Sequence, residues 1–294
     1  MRHPLLSGFS LCLVLALGGC QASLPPLPAW QSSEGRSHAE LGHIVELASG
    51  QLISPEQLLQ RLSGAPRVLV GEKHDNPDHH ALQLWLLRAL QGQRAQGSLL
   101  LEMLQPEQQP LVDKLAGQPL PADLPQALAW QDGWDWQLYG PIITEALRQH
   151  VPLLAANLST AEMRQAYRQP ASLLGERSNA PVVQAALLEH VRAGHCGMLP
   201  ESQLPAMLAV QQQRDRRMAE RLLAAPQPAL LFAGAYHVRK DLGVPLHLAD
   251  LGAQGESTVL VLAEVGDRVE ATEADYAWYT AATPEQDYCA QMRR

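Results

Sequence analysis

Residues 71–80, "GEKHDNPDHH", combine three histidines, three acidic residues and one lysine within ten positions. Such side chains can exchange protons near neutral pH or bind a first-row metal. Glu72 and His74 are two positions apart, so on a strand they point to the same side. His79 and His80 point about 100° apart on a helix, so at most one of them faces a shared pocket squarely. The alternative interpretation of this segment is a solvated loop.

The middle of the same segment has a structural explanation. Asp75 or Asn76 can cap a helix that begins near Pro77. Asp78 then lies in the first turn, where a negative charge suits the helix dipole. The combination of His and Glu resembles a metal site, but the chain contains no HExxH or CxxC spacing. The sequence alone therefore specifies no metal.

Three other apolar runs also end in polar residues: "SLLLEM", "VPLLAAN" and "ALLFAGAYH". In an open α/β sheet, ligands bind outside the carboxyl ends of the parallel strands. Four strands that deliver polar groups to one edge favour a shared pocket over a set of unrelated helix caps. The predicted pocket residues are Glu72, His74, Glu102 and Asn157, with Tyr236 and His237 beside them.

The pattern of elements along the chain predicts how these residues are positioned. Short apolar runs alternate with amphipathic segments of helical period, from "GHIVEL" to a last strand at "STVLVLAEV". This alternation is typical of an α/β fold with a mostly parallel sheet flanked by helices. Residues 160–225 are predicted to form a helical insert. The domain is predicted over 38–266, with 267–294 as a tail outside the core.

The N-terminus has the pattern of a bacterial lipoprotein signal. A short basic start and an apolar stretch lead into "LGGC", which predicts a signal peptide over residues 1–19 and a lipid on Cys20. An ordinary secretory signal is the alternative. Because Gln21 is not an Asp, the outer membrane is the expected destination, with the protein anchored and facing the periplasm. Residues 20–37 are rich in Pro and Ser and are predicted to form a tether.

Charge and cysteine content narrow the classes of function. The formal net charge is −8 and no basic stripe is present, which argues against a nucleic-acid partner. Export would place Cys196 and Cys289 in an oxidising compartment, where they could form one disulfide or stay free. The sequence does not decide between these two states.

Several longer stretches together resemble the ChaN-like haem-binding uptake lipoproteins. They are "VLVGEKHDNPDHH", "WDWQLYGPI", "LLAANLS", "AGHCGMLP", "QQQRDRRMA" and "FAGAYHVRKDLGVPLHL", in the expected order over roughly 43–265. The resemblance implies a lipoprotein of a haem or iron acquisition system, with an α/β fold and a helical second portion. It also implies haem at a homodimer interface, with a tyrosine on the iron and a histidine supporting a propionate. Members usually carry a small residue where this chain has Tyr236.

Ferric haem accepts a phenolate or an imidazole, so the candidate ligands can be named from the residues. The favoured tyrosines are Tyr139, slightly ahead, and Tyr236; Tyr167 is less favoured, and those after residue 267 are assigned to the tail. Competing histidines are His79, His80 and His237. The candidate cations for the propionates are Arg164, Arg168, Arg239 and Lys240. Arg214 and Asp215 are interpreted as members of helix-surface or interdomain ion pairs.

Two classes of function follow from these residues. The leading hypothesis is a lipid-anchored haem carrier or store, homodimeric when loaded and associated with other haem-uptake components. The second is a metal-dependent hydrolase using Glu72, His74, Glu102 and His237, in which a divalent ion activates water. The wider superfamily includes Tiki-type proteases and erythromycin-esterase-like enzymes, so the fold does not separate the two. The sequence contains no "GxSxG" motif, which argues against a hydrolase with a serine nucleophile.

Overall fold

The computed structural model describes residues 24–171, 173–255 and 257–293. The predicted signal peptide over 1–19 and the predicted lipidation site at Cys20 lie outside the described residues. Among the helices of the described ranges, none combines the length and apolar character needed to cross a membrane.

One eight-stranded sheet forms the centre of the structure, in the order β2-β1-β8-β7-β3-β6-β4-β5. The six strands from β8 to β5 pair in parallel, and the β1–β2 hairpin joins β8 in antiparallel fashion. This confirms the predicted mostly parallel α/β sheet. The strands are β1 (Ile44–Glu46), β2 (Gln51–Ile53), β3 (Arg67–Glu72), β4 (Ser98–Leu101), β5 (Leu153–Ala155), β6 (Ala229–Gly234), β7 (Ser257–Glu264) and β8 (Tyr276–Thr280).

Helices cover both faces of the sheet, as expected for parallel strands with apolar side chains on each side. The helices are α1 (Pro55–Gly64), α2 (Pro77–Gln93), α3 (Gln109–Leu115), α4 (Leu124–Ala127), α5 (Trp136–Arg148), α6 (Thr160–Arg168), α7 (Pro181–Gly194), α8 (Leu204–Ala224), α9 (Ala235–Val238), α10 (Val244–Asp250) and α11 (Tyr288–Met292). Helices α6 to α8 form the predicted helical insert.

The helix starts follow local sequence signals. Ser54 and Ser159 cap α1 and α6, each with the reciprocal capping-box contact from the third residue of the helix. Asn76 caps α2 by accepting from the Asp78 N–H, and Pro77 occupies the first helical position. The strand-to-helix turn after β3 is thereby fixed, and with it the direction of the polar groups at the end of that strand.

The prediction that residues 267–294 form a tail outside the core is wrong. Strand β8 lies inside the sheet between β7 and β1, and Trp278 packs edge-on against Trp85 of α2 with ring centroids 5.5 Å apart. "STVLVLAEV" is consequently not the last strand. Because "YAWYT" is short and aromatic, its strand preference comes from packing in the sheet more than from a local pattern.

The prediction that folding begins near residue 38 is also wrong. Leu24 packs against the main core cluster, and the Pro25 carbonyl accepts a hydrogen bond from Trp85 Nε1 at 2.9 Å. Farther along, the Ser32 N–H donates to Asp78 Oδ2 at 3.0 Å. These contacts use the backbone and single side chains, so the segment has no periodic apolar pattern that could have predicted them. Residues 24–32 are therefore part of the folded structure and not of the predicted tether.

The structure joins Cys196 to Cys289 in a disulfide, with the two Cα atoms 5.6 Å apart. The bond links the turn after α7 to the first residues of α11. The two cysteines are 93 positions apart in sequence, and the bond therefore ties the helical insert to the end of the chain.

Candidate functional site

A cavity of about 770 Å³ opens at the carboxyl ends of β3 and β6. Glu72, His74, Glu102 and His237 all line it, although 165 positions separate Glu72 from His237. The prediction that the strand ends deliver these groups to one pocket therefore agrees with the structure. Gly234, the last residue of β6, leaves room for the His74 ring, whose Cε1 lies 2.9 Å from where a Cβ would stand.

The polar residues at the strand ends, Glu72, His74, Glu102 and His237, are here called the cavity floor. Glu72 and His74 form one polar pair on it. His74 Nδ1 donates to Glu72 Oε1 at 2.6 Å, and Tyr139 Oη donates to the same oxygen at 3.1 Å. Burial disfavours a charged imidazole, but the hydrogen bond to Glu72 and its negative charge outweigh this effect and raise the pKa of His74. The other oxygen of Glu72 is buried without a hydrogen-bond partner.

A second polar pair lies around His237. Its Nδ1 donates to Asp215 Oδ1 at 2.5 Å, and its Nε2 faces Glu102 Oε1 at 3.3 Å. Burial alone would lower the pKa of His237, but the charges of Glu102 and Asp215 raise it to about 10. Burial opposes ionisation of Glu102 as well, yet the positive charge of His237 holds the pKa of Glu102 far below its usual range. The ring is therefore an imidazolium between two carboxylates.

Both ring nitrogens of His237 already face carboxylates, Nδ1 toward Asp215 and Nε2 toward Glu102. His79 is also fully engaged: Nδ1 accepts from the Lys73 N–H at 2.9 Å, and Nε2 contacts Thr280 Oγ1 at 2.9 Å. His80 is buried beside Tyr139, with Nε2 donating to the His74 carbonyl at 3.0 Å. The three histidines predicted as candidate iron ligands thus have structural partners.

The two favoured tyrosines have opposite environments. Tyr139 is 2% exposed and lies behind Glu72 and His74, away from the cavity lining. Burial and the nearby charge of Glu72 raise the pKa of Tyr139, so the phenolate is disfavoured. Tyr236 is 41% exposed and lines the cavity. The geometry therefore reverses the predicted preference for Tyr139.

The Tyr236 ring contacts two side chains, His190 from the helical insert and Arg239 directly after α9. The His190 ring stacks on it with centroids 3.4 Å apart and planes inclined by 20°. The Arg239 guanidinium lies 5.4 Å from the centre of the same ring. Burial, with the nearby positive charge of His237, lowers the pKa of His190 to about 4, so the stacked imidazole is neutral at pH 7.

The predicted propionate-binding cations do not form one set. Arg239 lines the cavity, but Lys240 pairs with Asp275 at 2.5 Å and does not. Arg164 and Arg168 line a separate groove beside α6. Neither arginine lines the cavity that holds Tyr236, so the prediction that Arg164 and Arg168 share a site with Arg239 is wrong.

Asn157 supports the site without lining the cavity. Its Nδ2 donates to the Glu102 carbonyl at 2.8 Å, and its Oδ1 accepts from Arg214 Nε at 3.2 Å. Arg214 does line the cavity, with Nη2 3.9 Å from Glu102 Oε1. Of the two interpretations of Arg214 and Asp215, the surface ion pair is wrong for Asp215, which is completely buried and pairs with His237 across to the cavity floor.

His190 and Trp134 are further lining residues that the sequence analysis missed. Trp134 packs edge-on against His74, with centroids 5.0 Å apart. A tryptophan in "WDWQLYGPI" was a usable signal, because it lies in a stretch that resembles the family. His190 lies within an apolar helical run and gave no such signal.

The described residues contain no group of three or more His, Cys, Asp or Glu side chains arranged to hold a metal ion. On the cavity floor, His237 contacts Asp215 and Glu102, and Glu102 also accepts from the Gly234 N–H at 2.8 Å. A ligand can contact the part of the cavity outside this floor, here called the upper cavity. There Tyr236, Arg214 and Arg239 face apolar side chains of β7 such as Leu262.

Residues 58–248 match the family described as haem-binding uptake, Tiki superfamily, ChaN. The match covers most of the chain, and the protein belongs to this family. No curated protein matches the sequence significantly.

Among solved structures, the fold is similar to ChaN of Campylobacter jejuni, which is described with cofacial haem binding. The sequences are 29% identical, the alignment covers 80% of this chain and 95% of that one, and the TM-score is 0.75. An erythromycin esterase mutant in its open conformation shares 14% identity over 86% of each chain, with a TM-score of 0.46. A Bacillus cereus protein shares 13% identity over 71% of this chain and 68% of its own, with a TM-score of 0.45. The last two likenesses are too weak to carry an argument about function.

Proposed function

We propose that the protein binds haem in the cavity at the carboxyl ends of β3 and β6, with Tyr236 as the iron ligand. The observation that carries this proposal is the position of Tyr236. Its ring is half-exposed on the cavity lining, between the stacked His190 and the Arg239 guanidinium. A tyrosine in this position can offer its oxygen to ferric iron, which accepts phenolate ligands.

The rest of the upper cavity suits the other parts of haem. Apolar side chains from β7 and the Trp134 ring offer contacts for the macrocycle. Arg214 supplies positive charge for a propionate, and Arg239, which also pairs with Asp241 and Glu273, lies beside the Tyr236 ring, where its charge favours the phenolate that iron ligation creates. A volume of about 770 Å³ is in the range of sites that hold ligands of this size.

We further propose that two copies enclose haem between them. Because Tyr236 is 41% exposed, a haem on its oxygen would keep one face at the protein surface. A second copy with its own haem would cover that face. Support comes from the cofacial haem binding of Campylobacter jejuni ChaN, which is 29% identical to this chain.

The cellular role follows from the N-terminal pattern. A lipid on Cys20 would hold the protein on the periplasmic side of the outer membrane. A half-open cavity that binds haem through one residue of the protein allows later release. We propose that the chain is a carrier or store that passes haem to other uptake components.

Titration with haemin tests the proposal. Purified protein should give a saturating Soret shift near one haem per chain, and sedimentation should show a dimer in the loaded state. Metal analysis of the same sample covers the hydrolase alternative. Stoichiometric zinc or manganese without saturable haemin binding would overturn the carrier and favour the enzyme.

One observation favours the alternative function, a hydrolase. Glu72 keeps a buried oxygen with no partner on the cavity floor, next to His74. A carboxylate in this position can act as a general base toward a bound water molecule. The metal-dependent version has less support, because both ring nitrogens of His237 already face carboxylates and the described residues form no cluster of three or more metal donors.

A further inference from the structure

The end of the chain crosses from the sheet to the helical insert beside the cavity. Residues 281–289, here called the C-terminal strap, follow β8 directly and end at the disulfide with Cys196. The strap starts next to Lys73, which lines the cavity, and its last residue is bonded to Cys196, six positions after His190, which also lines the cavity. It therefore links two walls of the proposed haem site.

Several contacts hold the first half of the strap on the sheet. Thr283 donates from its N–H and from Oγ1 to Glu264 Oε1, each at 2.9 Å. Lys73 Nζ donates to Thr283 Oγ1 at 2.6 Å and pairs with Glu264 Oε2 at 2.9 Å. Farther along, the Tyr288 hydroxyl donates to Asp75. The strap thus follows the carboxyl ends of β7 and β3.

Helix α7, at the other end of the strap, packs on a small apolar cluster that is separate from the two main clusters on the sheet. The buried cluster beneath it consists of Val183, Leu187, Leu208 and Leu242, and Val182 on the same helix is 76% exposed. At the end of α7 that carries His190, Val191 is buried, the His190 ring stacks on Tyr236, and the disulfide at Cys196 follows six positions after His190. A helix with so few buried contacts can detach locally at low free-energy cost.

We propose that the Cys196–Cys289 disulfide is a redox latch on the haem site, which presupposes the function proposed above. In the closed state it holds α7 so that His190 stacks on Tyr236. A dithiol reductant opens it: one thiolate attacks a sulfur of the bond and displaces the other cysteine, and the second thiol then closes the reductant to its own disulfide. Two electrons and two protons pass to the protein, leaving Cys196 and Cys289 as thiols. Both cysteines are only partly buried, so a reductant can reach them.

The consequence is a loss of haem affinity on reduction. Freed from the strap, α7 spends part of its time away from the cavity, and each such opening removes His190 from the ring that binds iron. A coupling of ordinary size between two sites changes affinity by about 5- to 150-fold. The affinity of the reduced protein should fall within this range.

The test compares oxidised protein, protein reduced with dithiothreitol and alkylated, and the Cys196→Ser/Cys289→Ser double variant. After alkylation, excess dithiothreitol is removed before haemin is added, so that it cannot reduce or bind the haem iron. Haemin titration should give a dissociation constant about 5- to 150-fold higher for the last two samples. The double variant, carried through the same reduction and alkylation, should show no further change, which controls for other thiols.

Hydrogen exchange of α7 provides a readout that does not involve haem. Peptides from 181–194 should exchange faster in the reduced and alkylated protein, while peptides from β3 keep their protection. Equal haemin affinity with unchanged α7 exchange would overturn the latch. If the oxidised protein binds no haemin, the proposed function fails, and unchanged α7 exchange would still refute the latch independently.

Discussion

Asp215 on α8 and His237 in α9, the short helix directly after β6, form a buried ion pair, with Oδ1 and Nδ1 2.5 Å apart. The pair joins the helical insert to the cavity floor, because His237 also faces Glu102. A buried cation of this kind depends on its carboxylate partners, and the loss of one leaves uncompensated charge. The contact is therefore expected to matter for stability before it matters for ligand binding.

Asp215→Asn should destabilise the protein by about 3 kcal/mol, in the range measured when one member of a buried pair is removed. Urea unfolding at neutral pH measures the loss. Asp132→Asn is a matched control, since Asp132 is exposed and the same change there should alter the free energy of unfolding by less than about 0.5 kcal/mol. Equal effects of the two substitutions would contradict the structural importance of the pair.

Stability should decrease at alkaline pH because of His237. Its pKa is raised from 6.5 to about 10 in the folded state. The stabilisation is therefore complete below about pH 6.5 and is lost as the pH rises toward 10. Glu102 acts in the opposite direction: its pKa is depressed from 4.5, so its contribution is present above that value and lost in acid.

Urea unfolding at about pH 6 and about pH 9 checks this expectation. The free energy of unfolding of the wild type should be smaller at the higher pH. The decrease should be weaker in Asp215→Asn, because removing that carboxylate lowers the pKa of His237. A wild type that is equally stable at both values would show that the imidazolium does not contribute.

Tyr236→Phe should remove the phenolate charge-transfer band of the ferric complex and weaken haemin binding by at least tenfold, about 1.4 kcal/mol. The fold should be unaffected, since Tyr236 is 41% exposed. Tyr167→Phe is the matched control: Tyr167 is 36% exposed in the separate groove by α6 and should keep the wild-type spectrum.

Tyr139→Phe distinguishes burial from ligation. It removes a donor to the buried Glu72, so a stability loss of about 1–3 kcal/mol is expected with the charge-transfer band retained. A band lost in Tyr139→Phe and kept in Tyr236→Phe would restore the preference suggested by the sequence. A low-spin spectrum abolished by a His→Ala substitution would exclude both tyrosines.

Gly71→Ala should destabilise the protein by about 1–3 kcal/mol through overpacking. A Cβ on Gly71 in β3 would stand 2.9 Å from the Ala235 Cα and would also meet Val238. Gly92→Ala in α2 is the control, because nothing lies within 4 Å of its new Cβ. That change should stabilise by about 0.4–1 kcal/mol. Melting temperatures that shift in the same direction in both variants would contradict the close approach of α9 to β3.

Cys20→Ser should abolish acyl labelling and block processing after Gly19, because only the thiol accepts the lipid. Metabolic labelling with a fatty acid and the mass of the product measure both effects. Cys12→Ser, a substitution within the predicted signal peptide, is the control and should be processed normally. A processed and labelled Cys20→Ser protein would refute the lipoprotein assignment.

The parts of the fold that were predictable from sequence are those with local signals. The continuous apolar run before Glu72, the Asn76–Pro77 cap and the Ser159 cap each specify an element without reference to distant residues. Strand ends in a parallel sheet share one edge, so the meeting of Glu72, Glu102 and His237 follows from topology alone.

The parts that failed depend on partners far away in the chain. Tyr139 and Tyr236 both lie in stretches that resemble the family, and only the packing of α5 beneath the floor shows which one is buried. In the sequence, Asp215 lies among arginines, and only the structure shows that its partner is His237. Pairing of this kind is a tertiary property, which helical spacing does not encode.

The place of β8 in the sheet has a consequence for synthesis. The last strand to be translated lies between the N-terminal hairpin and the parallel strands, and β1 reaches the rest of the sheet through it. A nascent chain therefore cannot assemble its complete sheet until nearly all of it has been made. Such late completion delays compact folding, which would suit the export proposed above, since an exported chain crosses the membrane while still extended. A chain truncated before Tyr276 would lack β8 and would expose the edges of β1 and β7. Exposed strand edges of this kind promote aggregation and could be recognised by chaperones or proteases.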